Sequence, residues 1–323
     1  MADSTFFFKK TTDLTPHEKD QIRALFLDVF AKEKTSAHFD SEFLVTTLGY
    51  SFHGLLIHDS VIVGCYSSVP YRYRFFDTEC LFALSVDTMI KKEFRGLETL
   101  RKLANLVYAE LNRAGVEFAF GFPNDNIYKI RKRFFGWKDL GTLDYFVLPV
   151  RPGAFVKHGR WLHLPVKAGV FLLNLAGRLF TSSNAPPDYA ISVVNDELFQ
   201  RHRYGFFAGD YLSENLGPGN TAIYRMDYYN GIKVAFILDV TVLSRHLLQT
   251  AAQRILARHH TEIDAIVYVG KLRFCPVNLL RVPKRFEPKK EYMSGKILAG
   301  NVVDERIFDL NNWRVNLANF DVI

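Results

Sequence analysis

Apolar side chains in the first half of the chain follow helical spacing in some segments and strand spacing in others. Thr15-Pro16-His17-Glu18 has the form of a capping box with proline at the first helical position. Helically spaced apolar residues come next: Ile22, Leu25, Phe26, Val29 and Phe30. Together these features predict an amphipathic helix near the start of the chain.

Short apolar runs after this helix predict strands. Residues 54–57 and 61–67 flank His58-Asp-Ser60 and predict a hairpin. The run 81–90 predicts a strand that leads into a second helix, and 116–122 predicts another buried strand. The apolar stripe of the second helix consists of Leu103, Ala104, Val107 and Leu111. Strands and helices therefore alternate in the first half.

The second half repeats this order in weaker form. Residues 221–229 and 232–241 flank Asn230-Gly231, a strong type I′ hairpin signal. A helical stripe and a strand at 265–269 follow, and the stripe consists of Leu247, Leu248, Ala251, Ala252 and Ile255. We therefore predict a domain over 1–150, a linker with an apolar, basic helix over 151–190, and a second domain over 191–323.

The apolar, basic stretch at 161–180 follows a segment rich in proline and glycine. It is too short and too interrupted to span a bilayer. A helix packed between the domains is favoured over membrane-surface attachment through Arg160, Lys167 and Arg178.

Composition supports a globular protein with sizeable cores. The 323 residues are 48% hydrophobic and 15% aromatic, which suits two domains. Cys65, Cys80 and Cys275 have no metal-ligand spacing, no His-Glu-x-x-His motif is present, and no secretory leader precedes them. We expect a cytoplasmic protein without a metal site.

The net charge of +7 favours an anionic ligand. Nucleic acid is an alternative ligand, because basic residues cluster near positions 129–133 and 281–290. No nucleic-acid-binding motif accompanies these clusters, so solvated faces are the simpler interpretation and no specific nucleic-acid partner is expected.

Residues 88–100 run from a strand into a helix and have the form of a phosphate cradle. Exposed N–H groups and the helix dipole bind a pyrophosphate at such a place. The segment resembles the acyl-CoA site of the GNAT superfamily of N-acetyltransferases, where Arg or Gln is followed by two residues, Gly, one residue, and Gly or Ala. Arg95 matches the first position, with Gly96 after it, whereas Glu98 and Leu100 replace the two small residues.

The resemblance covers about residues 10–150, and the segments 120–124 and 136–141 are similar to larger bacterial two-domain members. It implies an α/β (α+β) fold, with a mixed central sheet flanked by helices and a second, degenerate GNAT-like domain. No phosphate cradle is present in the second half, since no glycine lies between Val240 and Leu247. The resemblance therefore implies that any cofactor binds the first half.

In the mechanism that the resemblance implies, an amine attacks the thioester of acetyl-CoA directly, while backbone N–H groups near Met89 and Ile90 hold the carbonyl oxygen. Acetyl-CoA is then a co-substrate. The expected cofactor-binding residues are Met89, Ile90, Arg95, Gly96, Leu97, Glu98, Thr99, Leu100 and Asn124. Asn124 is equally well explained as a helix cap.

The catalytic residues match the family pattern less closely. Lys132 stands where many members have a tyrosine that protonates the leaving thiolate. Tyr128, one helical turn earlier, is the substitute general acid, with aromatic packing as the alternative. Asp87 is the candidate general base, with a structural role as the alternative. In the enhanced-intracellular-survival acetyltransferases a chain-terminal carboxylate is the base, and Ile323 could imitate it.

Two functions follow from these residues. The first is an N-acyltransferase that transfers an acyl group, most simply acetyl, to a primary amine of a small molecule, amino sugar or peptide. The second is a catalytically silent GNAT-fold protein that binds a ligand or partner, suggested by Glu98, Leu100 and Lys132.

Overall fold

The computed structural model describes residues 4–151, 188–205, 210–229 and 231–320, together with residue 169. Apart from residue 169, the helix predicted within 161–180 lies outside these residues, as do most of the linker, Asn230 and Ile323.

Eight strands form the first sheet, in the order β1-β2-β3-β4-β5-β14-β6, and β8 pairs with β3. Among the described strands of this sheet, β4 and β5 are the one parallel pair. The strands are β1 (Thr5–Lys10), β2 (Phe52–His58), β3 (Val61–Phe75), β4 (Thr78–Ile90), β5 (Val116–Gly121), β6 (Lys138–Thr142), β8 (Ile191–Val193) and β14 (Tyr292–Ile297).

Helices cover both faces of this sheet. The Thr15 capping box is confirmed, because the Thr15 hydroxyl accepts from the Glu18 N–H and the Glu18 carboxylate accepts from the Thr15 N–H. Helix α3 packs with Leu103, Ala104 and Val107 on one face, and α1 and α2 pack on the other. The helices are α1 (Pro16–Phe30), α2 (Ser36–Leu44), α3 (Leu97–Arg113) and α4 (Asp125–Phe134).

The second sheet has the order β13-β7-β12-β11-β10-β9, with β11 and β12 parallel. One face packs against α6, and the predicted hairpin is confirmed by pairing of Tyr229 with Ile232. Its strands are β7 (Asp144–Pro149), β9 (Tyr211–Gly217), β10 (Asn220–Tyr229), β11 (Ile232–Val240), β12 (Ala265–Gly270) and β13 (Leu280–Arg281). The helices of this half are α5 (Glu197–Gln200), followed by a π-helical turn, and α6 (Arg245–His259).

The two halves exchange strands. β7 follows β6 after the single residue Leu143, yet it pairs with β12 and β13 in the second sheet. In return, β14 lies between β5 and β6 in the first sheet. The prediction of a mixed α/β fold with two similar halves is confirmed, whereas the boundary at residue 150 stays a prediction. None of the helices in the described ranges is long and apolar enough to cross a membrane.

Candidate active site between the two sheets

A bulge in β4 opens the first sheet. The register of β3 with β4 shifts between Cys65 and Ser67, and nearby Asp87 has φ of 42°, a left-handed conformation that is costly for a residue with a side chain. Parallel pairing of β4 with β5 extends as far as Leu84 and Phe120. Beyond these residues the strands separate, which leaves a gap between them.

The Arg131 side chain, from α4, fills this gap. Its Nη2 atom donates to the Ser85 hydroxyl oxygen at 2.6 Å. The same Nη2 atom lies 3.4 Å from the Thr88 hydroxyl oxygen. The guanidinium carbon lies 4.4 Å from the Trp137 ring centre. Gly121 leaves room for the guanidinium, because a Cβ atom there would lie only 3.0 Å from Nη1. Arg131 is therefore buried between the strands.

A series of hydrogen-bonded hydroxyl groups extends from Arg131 into the core. Ser85 donates to the Tyr66 oxygen at 2.9 Å, and the hydroxyl oxygens of Tyr66 and Tyr108 are 3.0 Å apart. Trp137 Nε1 donates to Tyr108 at 2.9 Å, and burial raises the pKa of Tyr108 well above its usual value. No ion pair among the described residues includes Arg131, so aromatic faces and neutral hydroxyls surround this buried cation.

The predicted cradle lies where β4 meets α3. Gly96 is the N-cap residue and provides no side-chain cap for the first N–H groups of the helix. Arg95 Nε donates to the Ile90 carbonyl oxygen at 2.9 Å. The Glu98 carboxylate accepts from Arg101 at 2.5 Å on the exposed side of the helix. The structure thus turns Glu98 toward a neighbouring cation, which offsets its negative charge near the cradle.

The other predicted cofactor residues differ in exposure. Met89 is fully buried and pairs with Cys65 of β3, and Leu100 is buried under α3. Leu97 is 41% exposed, and Thr99 lines a small open cavity of about 380 Å³. That cavity is lined by Ser4, Phe6, Leu56, Glu93, Phe94, Arg95, Glu98, Thr99 and Lys102. Room for a ligand therefore exists beside the start of α3.

Two predicted residues on or before α4 are engaged in local contacts. The Asn124 side chain caps the helix by accepting from the Ile127 N–H at 3.1 Å. The Tyr128 ring stacks on Tyr292, with centres 4.1 Å apart, and its pKa is raised by partial burial and by Asp139. Tyr128 therefore interacts with Asp139 of β6 and Tyr292 of β14. Within the described ranges, no hydrogen bond or ion pair joins Tyr128 to Asp87.

A cavity of about 420 Å³ meets the same bulge from the opposite face of the sheet. Lys34 lies in its wall, donates to both Asp87 and Glu42, and has its Nζ atom 4.3 Å from the Phe26 ring centre. Burial alone would lower the pKa of Lys34, but the two carboxylates outweigh it and raise that pKa. The predicted base thus lies in this cavity, paired with an ammonium group.

Residues from both halves surround this interface cavity. They include Phe30, Lys32, Glu33, His38, Ser41, Val69, Tyr71 and Val86 from the first half, and His202, Arg203, Tyr211, Arg225 and Phe320 from the second. Phe320 stacks on Phe122 with ring centres 3.8 Å apart. Phe320 therefore lies at the site, whereas Ile323 lies outside the described residues.

Sequence reasoning missed Arg131 and Lys34. Arg131 belongs to the basic cluster at 129–133, for which a solvated face is the simpler interpretation, but it lies one helical turn after Ile127, which packs on the core. That spacing was the available signal. For Lys34 the sequence offers none, because its carboxylate partners come from α2 and β4.

Similarity to known proteins is found in structure and not in sequence. No family model and no curated protein matches the sequence. Among solved structures, a probable N-acyltransferase of unknown function from Enterococcus faecalis V583 is similar at 14% identity, with a TM-score of 0.59 over 92% of this chain and 74% of that chain. A GCN5-related N-acetyltransferase from Kribbella flavida has 13% identity and a TM-score of 0.57 over 92% of this chain and 72% of its own.

Eis1 from Mycobacterium abscessus is similar over 92% of this chain and 74% of its own, with 12% identity and a TM-score of 0.57. At such identities the likeness concerns the fold. This chain therefore has the fold of the GCN5-related N-acetyltransferases, in a form with two GNAT-like halves, as the sequence resemblance predicted.

Proposed function

We propose that this protein is an acyl-CoA-dependent N-acyltransferase that acts on a primary amine. One observation carries the proposal: the gap between β4 and β5 and the interface cavity meet at the same bulge, at Asp87, from opposite faces of one sheet. Such an arrangement lets a thioester and an amine enter separately and meet in line.

In this proposal the amide groups at the start of α3 bind the cofactor phosphates. The free edge of β4 beyond Leu84, which includes Met89 and Ile90, orients the thioester and holds its carbonyl oxygen. Acetyl-CoA is the donor implied by the fold resemblance, and it supplies the activated acyl group when bound.

Asp87 is the proposed base. The substrate ammonium would compete with Lys34 for the carboxylates of Asp87 and Glu42, so that the site recognises an amine by the same contacts that now hold Lys34. Asp87 first takes one proton from the bound ammonium, directly or through water, which frees the nitrogen lone pair for attack. A C–N bond then forms as the C–S bond breaks, the leaving thiolate takes up a proton, and the nitrogen releases its second proton to solvent as the amide forms. Tyr128 remains the predicted acid for the thiolate, and the Tyr66–Ser85 pair beside the gap is a second candidate.

Arg131 has to move for this function, because its guanidinium occupies the gap. We expect Arg131→Ala to bind acetyl-CoA several-fold more tightly than the wild type in isothermal titration, since no side chain then needs displacement. Arg133→Ala, at an exposed position of the same helix, is the matched control and should leave the affinity unchanged.

Thiol release with a panel of small amines, amino sugars and peptides then tests transfer itself.

The alternative is a catalytically silent GNAT-fold protein, favoured by the same buried Arg131 and by the Asp87–Lys34 pair. Absence of binding of both acetyl-CoA and a longer acyl-CoA, in the wild type and in Arg131→Ala, would refute the enzyme and favour that alternative. The three free cysteines accord with a reducing cytoplasm as the place of action.

A further inference from the structure

A second cavity, of about 720 Å³, lies on the face of the second sheet opposite α6. Alternate residues of three strands line it: Tyr145 and Val147 of β7, Ile232, Val234 and Phe236 of β11, and Ala265, Val267 and Val269 of β12. The residues between them, such as Phe146, Ile237 and Ile266, pack into the core under α6. The strand alternation therefore places a continuous apolar wall around an open volume.

An apolar cavity of this size is a candidate ligand-binding site. Protein interiors are close-packed, and an apolar cavity of this kind offers water few partners. Its size falls in the range of roughly 300–1,000 Å³ that small-molecule sites have. Three charged residues in its wall have partners of opposite charge: Lys289 and Glu291 pair with each other at 3.0 Å, and Asp227 pairs with Arg225 at 3.6 Å. The wall therefore favours an uncharged, apolar ligand.

The apolar cavity lies next to the gap between β4 and β5. Gly121 ends β5 beside Arg131, and the next residue, Phe122, lines the apolar cavity. Phe320, stacked on Phe122, lines both the apolar cavity and the interface cavity. A group that leaves the gap therefore has the interface cavity, with Asp87, on one side of Phe320 and the apolar cavity on the other side.

The far end of the apolar cavity reaches the protein surface. Tyr228 and Phe286 line that end and are 69% and 65% exposed. The cavity thus extends from Phe122, the residue after β5, to an exposed end, with an apolar wall between the two. Such a shape suits an extended chain better than a compact ring.

We propose that this apolar cavity binds the hydrocarbon chain of the acyl donor, so that the protein uses a medium- or long-chain acyl-CoA in preference to acetyl-CoA. The inference rests on the proposed function and specifies its acyl group. The amine then occupies the interface cavity beside Asp87, and Phe122 and Phe320 separate the chain from the acceptor.

Isothermal titration with acetyl-CoA and decanoyl-CoA tests this assignment. Each methylene group that becomes fully buried strengthens binding about fourfold, so even partial entry of the chain predicts at least a roughly 30-fold preference for decanoyl-CoA in the wild type. Val267→Trp places an indole in the middle of the cavity and should reduce that ratio to near one. Val267→Ala leaves the cavity open, and Val242→Trp lies at an exposed position, so both should keep the wild-type ratio.

Each other outcome has a distinct meaning. If neither thioester binds, the proposed function fails and this inference fails with it. If both bind equally, or if Val267→Trp keeps the preference, only the chain assignment is overturned. Val234→Phe is a second blocking variant in case Val267→Trp does not give a native circular dichroism spectrum. Decylamine is the remaining probe: if its affinity, rather than that of decanoyl-CoA, falls in the blocking variants, the cavity holds the acceptor chain and the proposal is wrong.

Discussion

His53 is a fully buried residue whose environment favours the neutral ring. Its Nε2 atom lies 2.8 Å from the Thr11 hydroxyl oxygen, and its Nδ1 atom lies 2.9 Å from that of Ser67. Burial and then the nearby Lys34 ammonium lower the pKa of His53 to about 3. An unfolded histidine titrates near pH 6.5, so protonation of this ring competes with folding.

We expect stability to fall on acidification because of this residue. The folded pKa lies below the unfolded one, so the contribution of His53 is complete above about pH 6.5 and decreases as the pH drops toward 3. The slope attributable to one such group is about 1.4 kcal/mol per pH unit. Urea titrations from pH 7 to 4 measure it, and His53→Gln should show a slope smaller by that amount, whatever its stability at pH 7.

His246→Gln is the control for this experiment, because its side chain is exposed on α6. It should keep the slope of the wild type. An equal slope in all three proteins would mean that other groups cause the acid sensitivity.

The residue scale also separates what sequence could predict from what it could not. The Asn124 cap and the Thr15 capping box depend on residues three positions apart, and the sequence contains that spacing. The ion pairs of Lys34 join residues 8 and 53 positions apart in the chain, and no local pattern encodes them. Arg131 is an intermediate case. Its spacing from Ile127 indicates that it lies on the buried face of α4, but no local pattern predicts that its guanidinium fills the gap between β4 and β5.

Among the elements, β14 is the strand that ties the second half into the first sheet. Gly295 of this strand pairs with Phe120 and lies against Phe118. A Cβ atom at this position would lie 2.1 Å from Phe118 Cζ and 2.8 Å from the Ala119 carbonyl oxygen. Glycine is therefore required here by close approach, in a strand that otherwise favours larger residues.

Gly295→Ala should destabilise the protein by about 1–3 kcal/mol or more, because the added methyl group overpacks the contact between β14 and β5. Urea unfolding followed by circular dichroism gives this value. Gly96→Ala is the matched control, since the nearest atom to its Cβ would be Thr99 Oγ1 at 3.9 Å, and it should cost less than about 1 kcal/mol. Similar losses in the two variants would contradict the packing argument.

Elements with strong periodicity were predictable, and irregular ones were not. The stripe on α3 and the hairpin of β10 and β11 agree with the sequence pattern, because one buried face imposes its period on the residues. The bulge at Asp87 falls inside the single strand predicted over 81–90, and the sequence of that segment does not mark Leu84 as the last residue of β4 that pairs with β5.

At the scale of the whole molecule, strand exchange makes each half depend on the other. β7 completes the second sheet, β14 completes the first, and only Leu143 separates β6 from β7. The main core includes residues from both halves, among them Phe82, Val267 and Trp313. Independent folding of the halves would leave both sheets with an unpaired strand position.

We therefore expect a single cooperative unfolding transition. Trp137 lies in the core under α3, and Trp313 packs against Phe82 and Phe120 in the main core, which includes residues of both halves. Tryptophan fluorescence therefore reports on these two parts of the core. Urea curves measured by fluorescence and by far-UV circular dichroism should coincide within error. Two resolved transitions would show that the halves unfold separately despite the exchange.

The sequence by itself determined the main helices and strands and their alternation in two similar halves, because periodicity and caps act over a few residues. The phosphate cradle at Arg95 and Gly96 stays a prediction. Only the tertiary structure decided which strands are exchanged, that Arg131 fills the gap, and that two cavities of different polarity meet near Phe320. These features arise from contacts between residues far apart in the chain, whose partners are chosen by packing of the whole molecule.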